Sequence, residues 1–443
     1  MRRRQFLALG AASLGALLAG CGSTTAGSPT VSTSGSSSGG SGTAKAGEVL
    51  TGKGVRLAAA SSTDAGGNLS RFAAELFATS APGAGNAVVS PYSVAAALGM
   101  TAYGAKGAAA EALAKVLGGD PAAVAAQLTA VDEAVAAAVA AGKGNKDRGT
   151  VDILVEAANR LFPQSGLPVR QEYLDAIAAG YAASVQTVDY KSDPDGVRVL
   201  MNKWVADRTH QLIPELLAPG TITTDSRLTL INALYLKAAW AADFHKGDGM
   251  EFTSGDGKSV QADNFGIGEV YWLTASGSGW ESVTIPYQGG KLAMTVILPE
   301  TGKFAEVNSK LDGALLQAAV SGGSDLLNVE MPMFKTDFPV NLTQPLQDLG
   351  LGPLFQGGDL SGIAGSPGDL LASQVIHQAK ISVDENGTEA AAATAVIATA
   401  GAAPNQDKPK PRDFVVNRAF LYLIHDTTTG TPLFLGRVSD PTH

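Results

Sequence analysis

The segment Glu385-Asn386-Gly387-Thr388-Glu389-Ala390-Ala391-Ala392-Ala393-Thr394-Ala395-Val396-Ile397-Ala398-Thr399-Ala400-Gly401-Ala402-Ala403-Pro404 can be read as helix, loop or strand, and each reading implies a different fold. Its alanines favour helix on intrinsic propensity. Two features oppose that. Gly387 is a hinge residue free to change φ and ψ, and Thr394, Val396, Ile397 and Thr399 introduce β-branches that lower helix propensity and raise strand propensity. As a strand the segment has a two-residue period: Thr388, Ala390, Ala392 and Thr394 face inward and Glu389 faces solvent. A shift of one residue would bury the Glu389 carboxylate at a cost of several kcal/mol, so the register is specified by the sequence itself. The small inward side chains suit a strand that passes between two neighbours.

The surrounding 443 residues are 45% hydrophobic and 16% charged, a globular composition. The net charge of −9 becomes −12 once Arg2, Arg3 and Arg4 are removed with the leader, and an acidic surface argues against nucleic acid as a partner. A single cysteine, Cys21, excludes an intrachain disulfide and a cysteine metal cluster. The five histidines lie too far apart for an HExxH-type zinc site, so metal catalysis is not expected.

Arg2-Arg3-Arg4 precedes an apolar run from Ala8 to Ala19 that is too short to span a bilayer and reads as an export signal, residues 1–20. Leu18-Ala19-Gly20-Cys21 resembles a bacterial lipobox, which makes Cys21 the lipidated residue. Arg3-Arg4 with Gln5-Phe6-Leu7 resembles a twin-arginine signal, and general secretion fits as well. Residues 21–55 form a Gly/Ser/Thr-rich tether, and 56–443 the folded domain. Gly35-Ser36-Ser37-Ser38-Gly39 matches a hydrolase elbow formally, but it lacks the strand before and the helix after that such a turn requires.

Helices are expected over Leu69–Ala78 with Asn68 as its cap, from Ser90-Pro91 to Gly104, over Ala108–Leu117 and over Pro121–Ala141. Strands are expected at Val151–Val155, Leu228–Leu236, Val270–Thr274, Val283–Ile285, Leu292–Leu298 and Phe420–Ile424. Helices early and strands late suit an α+β domain.

From about Asn68 to Pro441 the chain resembles the serpins, the conformationally mobile serine protease inhibitors. Several segments carry the likeness in order: Asn86-Ala87-Val88-Val89-Ser90-Pro91-Tyr92-Ser93, Gly104-Ala105-Lys106-Gly107, Asn202-Lys203-Trp204-Val205, Asn232-Ala233-Leu234-Tyr235-Leu236-Lys237 with Trp240, Pro286-Tyr287, Asp359-Leu360-Ser361-Gly362, His377 and Leu433-Phe434-Leu435-Gly436-Arg437-Val438. His210 and Gln211 stand where the family has Asn and Gly, and a different turn is expected there. Ala419 replaces the family's usual Pro.

The resemblance implies helices packed on three β-sheets with an exposed reactive-centre loop, about 385–412. It implies no catalytic residue and no cofactor: a protease attacks the loop as substrate, and the cleaved loop inserts into the central sheet with the protease still attached. The hinge would comprise Glu385, Gly387, Thr388, Glu389, Ala390, Ala391, Ala392, Ala393 and Thr394. Ser90, Asn232 and His377 would form a buried polar group where the sheet parts, and Trp240 would sit at the breach. Counting from Glu385 places the scissile bond at Gly401-Ala402, with Ala400 and Ala403 as alternatives. All are small, and Lys408 and Lys410 precede prolines that disfavour trypsin. The expected partners are an elastase-like or subtilisin-like serine protease, held covalently, and a membrane through the lipid anchor. A monomer on the outer face of the cell membrane or in the extracellular space is expected. The rival expectation is a non-inhibitory serpin that serves as a binding or scaffold lipoprotein.

Overall fold

In the computed structural model of the chain, residues 44–144, 152–388 and 409–443 are described. The helices used below are α1 (Ser62–Ser80), α2 (Pro91–Ala102), α3 (Gly107–Leu117), α4 (Pro121–Ala141), α5 (Gln171–Tyr181) and α6 (Pro194–Arg208). Their starts follow local chemistry. Asp120 and Asp193 accept hydrogen bonds from the backbone N–H of Ala123 and Gly196, with Pro121 and Pro194 in the first turn. Ser90 does the same for Ser93 at the head of α2. Every α2 residue except Tyr92 is buried, so α2 is a central helix with no solvent face.

The first half of the chain supplies strands β1 (Val49–Thr51), β2 (Ala87–Val89), β3 (Leu154–Pro163), β4 (Ser184–Gln186) and β5 (Leu228–Ala239). Then come β6 (His245–Lys246), β7 (Met250–Thr253), β8 (Ser259–Ala262), β9 (Asn264–Gly277), β10 (Trp280–Pro286), β11 (Leu292–Pro299), β12 (Gly323–Pro332) and β13 (Phe334–Asn341). The last are β14 (Gln374–Asp384), β15 (Gly387–Thr388), β16 (Arg412–Val415), β17 (Phe420–Asp426) and β18 (Pro432–Val438). Among the described residues they form three sheets. One has seven strands in the order β1-β4-β3-β5-β15-β14-β13; a nine-stranded sheet runs β16-β12-β9-β10-β11-β17-β18-β2 with β6 beside β9; and β7 pairs with β8.

The centre of the seven-stranded sheet is buried on both faces. Leu228, Leu230, Leu234, Leu236 and Ala238 of β5 join the main core, while Ile231 and Ala233 point the other way into a smaller core with Met201 and Val205 of α6. That double burial explains why β5 reads as a continuous apolar run.

Three expectations are corrected. The strand expected at Val151–Val155 is β3, Leu154–Pro163, paired antiparallel with β5 over its whole length. Its Glu156-Ala157-Ala158-Asn159-Arg160 has poor strand propensity, and pairing overrides it. The first helix begins at Ser62, not after Asn68, whose side-chain amide instead reaches Gly118 O at 3.4 Å; Gly66 and Gly67 hide that first turn because glycine is a poor helix former. Finally, part of the expected tether is folded: β1 pairs antiparallel with β4, and Gly47 N–H donates to Thr187 O at 2.6 Å.

The turn after α6 places both of its residues at positive φ. His210 and Gln211 adopt φ of 49° and 65°, the left-handed region that Gly and Asn enter most readily. The His210 ring lies 4.9 Å from that of Tyr235, and its Nε2 is 3.2 Å from Glu156 Oε1. These contacts hold the strained turn.

Candidate functional site

The strands β5 and β14 run parallel and pair directly from Thr229 opposite Gln374 to Leu234 opposite Ala379. Direct pairing ends there. Beyond it β15 lies between them, antiparallel to both: Thr388 is opposite Ala238 and Val383, and Gly387 opposite Ala239 and Asp384. Gly387 and Thr388, the third and fourth residues of the segment quoted at the outset as a possible strand, are thus a strand already, wedged into the top of the sheet. Gly387 is required there. Its φ is 144°, and a Cβ would stand 2.1 Å from Ala238 O.

Aromatic side chains hold the wedge. Trp240 Nε1–H donates to Asp384 O at 2.8 Å, and Trp240 N–H donates to Asn386 O at 3.1 Å. The Trp240 ring stacks on Tyr287, 4.6 Å between centroids at 7°. Tyr287 Oη and Thr388 Oγ1 share a hydrogen bond of 2.6 Å inside the core. Burial raises the Tyr287 pKa far above its ordinary value, so the phenol stays protonated. Asn386 N–H donates to Asp384 Oδ1 at 2.8 Å and closes the turn that carries Glu385.

Lower in the sheet, His377 sits opposite Asn232 in the β14–β5 register. His377 Nδ1 is 2.6 Å from Asn232 Oδ1, and Ser90 N–H donates to His377 Nε2 at 3.0 Å. Since Nε2 accepts, the proton lies on Nδ1 and points at Asn232. Full burial pushes the His377 pKa down to about 4, so the ring is neutral. Asn232 Nδ2–H donates onward to Asn159 Oδ1 on β3 at 2.7 Å. One chain of hydrogen bonds therefore ties β14, β5 and β3 together at the level of the N-terminus of α2.

Ser90, Asn232 and His377 are brought together, although Ser90 contributes its backbone N–H and spends its hydroxyl on the α2 cap. Trp240, Glu385, Gly387 and Thr388 cluster at the top of the sheet. Glu389, Ala390, Ala391, Ala392, Ala393 and Thr394, the bond candidates Ala400, Gly401, Ala402 and Ala403, and Cys21 lie outside the described residues. Tyr287 was noted from the sequence only as part of the family likeness, and Asp384, Asn386 and Asn159 were given no role there. Pro286-Tyr287 was a usable signal for the first; Asn159 carried none, because its role depends on a strand that propensity conceals.

A profile of the family Serpin (serine protease inhibitor) matches residues 67–441. Iris of Ixodes ricinus is 31% identical over 370 residues, covering 81% of this chain and 93% of its own. The leukocyte elastase inhibitor of Bos taurus is 31% identical over 391 residues, covering 84% and 98%. Tengpin, a thermophilic serpin in its native state, superposes with a TM-score of 0.75 at 24% identity, covering 88% of this chain and 97% of tengpin. The chain belongs to the serpin family and has the serpin fold.

Proposed function

We propose that this serpin inhibits serine proteases that cut after small residues, by presenting its loop as a substrate and trapping the acylated enzyme as the loop inserts between β5 and β14. The observation that carries the reading is the seating of Gly387–Thr388 as β15. Continuing its register places Ala390 beside Ile381 and Leu236, Ala392 beside Ala379 and Leu234, and Thr394 beside His377 and Asn232. Every inward position down to the buried polar group then receives a small side chain. Glu389 falls on the outer face opposite Ser382 and Lys237.

In this mechanism the protease's serine attacks the carbonyl before the scissile bond, the amine of the next residue leaves, and an ester joins the two proteins. Insertion must outrun hydrolysis of that ester. It replaces the direct β5–β14 ladder by two ladders and buries the alanine face, gaining main-chain hydrogen bonds and apolar area. The name of the bovine leukocyte elastase inhibitor agrees with a small-residue target. We further propose that the protein is exported, lipidated at Cys21 and held at the membrane. Cys21→Ser should move it from the membrane fraction to the soluble one; unchanged fractionation would refute the anchor.

The test of inhibition is incubation with pancreatic elastase, subtilisin and trypsin followed by denaturing electrophoresis. Elastase or subtilisin should give an adduct that survives denaturation, and trypsin none. Cleavage near Gly401 without any adduct would leave a non-inhibitory serpin.

A further inference from the structure

Asn386-Gly387 is the chain's single Asn-Gly pair, and it stands where the turn after β14 enters β15. That turn is Glu385-Asn386, two residues long, because Asp384 lies opposite Gly387. The side-chain amide carbon of an asparagine and the backbone nitrogen of the next residue can close a five-membered ring, and a glycine, having no Cβ, leaves that nitrogen least hindered. Here the glycine is fixed by the close approach of Ala238 O.

The peptide bond between the two residues is held from both sides. Asp384 Oδ1 accepts from Asn386 N–H at 2.8 Å, and the same carboxyl group interacts with the Gly387 N–H and with the Asn386 side-chain amide. Across the bond, Trp240 N–H donates to Asn386 O at 3.1 Å. When Gly387 N gives up its proton, the negative charge moves onto Asn386 O, so a donor at that oxygen stabilises the amidate. A carboxylate against the N–H is placed to take the proton, and burial raises the Asp384 carboxyl above its usual range, which makes it a stronger acceptor. Asn308-Ser309 offers a contrast: it lies in the helix Phe304–Ser309, and Asn308 Oδ1 is held by Arg437 Nη1 at 3.1 Å.

We propose that Asn386-Gly387 is a self-modifying site with Asp384 as its base, and that its product releases β15. Gly387 N attacks Asn386 Cγ: the N–Cγ bond forms, the Cγ–Nδ2 bond breaks, and the proton taken by Asp384 from Gly387 N departs with the amide nitrogen as ammonia. Water then opens the cyclic imide, and nothing is oxidised or reduced. Opening at the former Asn386 carbonyl carbon gives isoaspartate, whose main chain runs through Cβ and whose old carbonyl oxygen belongs to a free carboxylate. A turn set at two residues is thereby lengthened by a carbon, and the group that accepted Trp240 N–H has left the main chain. Gly387 and Thr388 lose the register that the turn imposed on them against Asp384 and Val383. The modification needs only water and does not rest on protease trapping.

The full chain is held folded in mildly alkaline buffer, and position 386 is followed by peptide mass spectrometry for replacement of NH2 by OH and by isoaspartyl methyltransferase labelling. The same chain unfolded in guanidinium chloride gives the rate without the site. The folded chain should be modified about tenfold faster than the unfolded one. Asp384→Asn, scored on protein that melts like the parent, should fall to the unfolded rate. Asn386→Gln should stay unmodified, because its ring would need a sixth member, and Asn308 should stay unmodified in the parent. Hydrogen exchange of the peptide that carries Thr388, read separately for modified and unmodified molecules, should be fast in the first and slow in the second. A folded chain modified no faster than the unfolded one would overturn the site, as would a parental rate in folded Asp384→Asn. Retained protection at Thr388 in modified molecules would overturn the release of β15.

Discussion

His377 is the residue on which the central sheet's integrity turns, and its protonation state is a consequence of burial. Unfolded, an imidazole takes up a proton near its ordinary value of 6.5; folded, His377 resists until about 4. Between those limits the unfolded chain binds the extra proton, so its contribution to stability is complete above 6.5 and is lost as pH falls toward 4. The loss is on the order of 3 kcal/mol. The buried His425, also shifted down, adds in the same direction. Urea midpoints should therefore fall between pH 7 and 4.5, and His377→Gln should flatten that fall in part. An identical pH slope in the variant would show that the imidazole is protonated without penalty. Asn232 and His377 were legible as a pair because the serpin motifs contain both; the hydrogen bond onward to Asn159 was not, because the sequence around it carries no strand signal. The turn at His210 and Gln211 shows the reverse limit. Residue identity gave no left-handed signal at either position, yet the tilted ring contact with Tyr235 and the Glu156 contact hold both residues in that region, which costs roughly 1–2 kcal/mol per residue.

Elements announced by local chemistry were readable: Ser90-Pro91 and Asp120-Pro121 cap and start helices whatever surrounds them. Elements that exist only through neighbours were not. Residues 44–60 are rich in Gly and Ala, but Val49–Thr51 finds a partner in β4, and Gly52 and Gly54 lie so close to α5 that a Cβ at either would stand 2.0 Å from a backbone oxygen, of Leu174 and Asp175 respectively. Arg56 fastens this strap. Its guanidinium donates to Gly180 O at 2.5 Å and pairs with Asp132, which also accepts from the Tyr92 hydroxyl. Burial holds the Asp132 carboxyl above the usual range despite the arginine, so this carboxylate needs its partners. Arg56→Ala should destabilise the domain by about 1–2 kcal/mol, discounted for a pair one-third exposed. Equal urea midpoints for variant and parent would mean that the backbone bonds alone hold the strap.

At the scale of the whole molecule, loop insertion requires the β4–β3–β5 side of the sheet to part from the β14–β13 side along the six pairs from Thr229–Gln374 to Leu234–Ala379, with the His377–Asn232 bond among them. Thr388 is a poor place to test this, because it is already buried against Tyr287 and any large replacement disturbs the protein before cleavage. The informative positions are further along. Continued from β15, the register sets Ala391 on the outer face beside Lys380 and Ala392 on the inner face between Ala379 and Leu234, both buried. Glutamate at 391 gains a lysine neighbour in solvent; glutamate at 392 must bring a carboxylate into a dry core, at several kcal/mol. Neither change touches the residues that hold β15. Both variants should fold, melt like the parent and be cleaved by elastase. Ala391→Glu should still yield adduct at near-parental stoichiometry, whereas Ala392→Glu should be turned over as substrate and release active enzyme. Inhibition that is equal in the two would mean that the loop does not enter the sheet in the register set by Gly387 and Thr388.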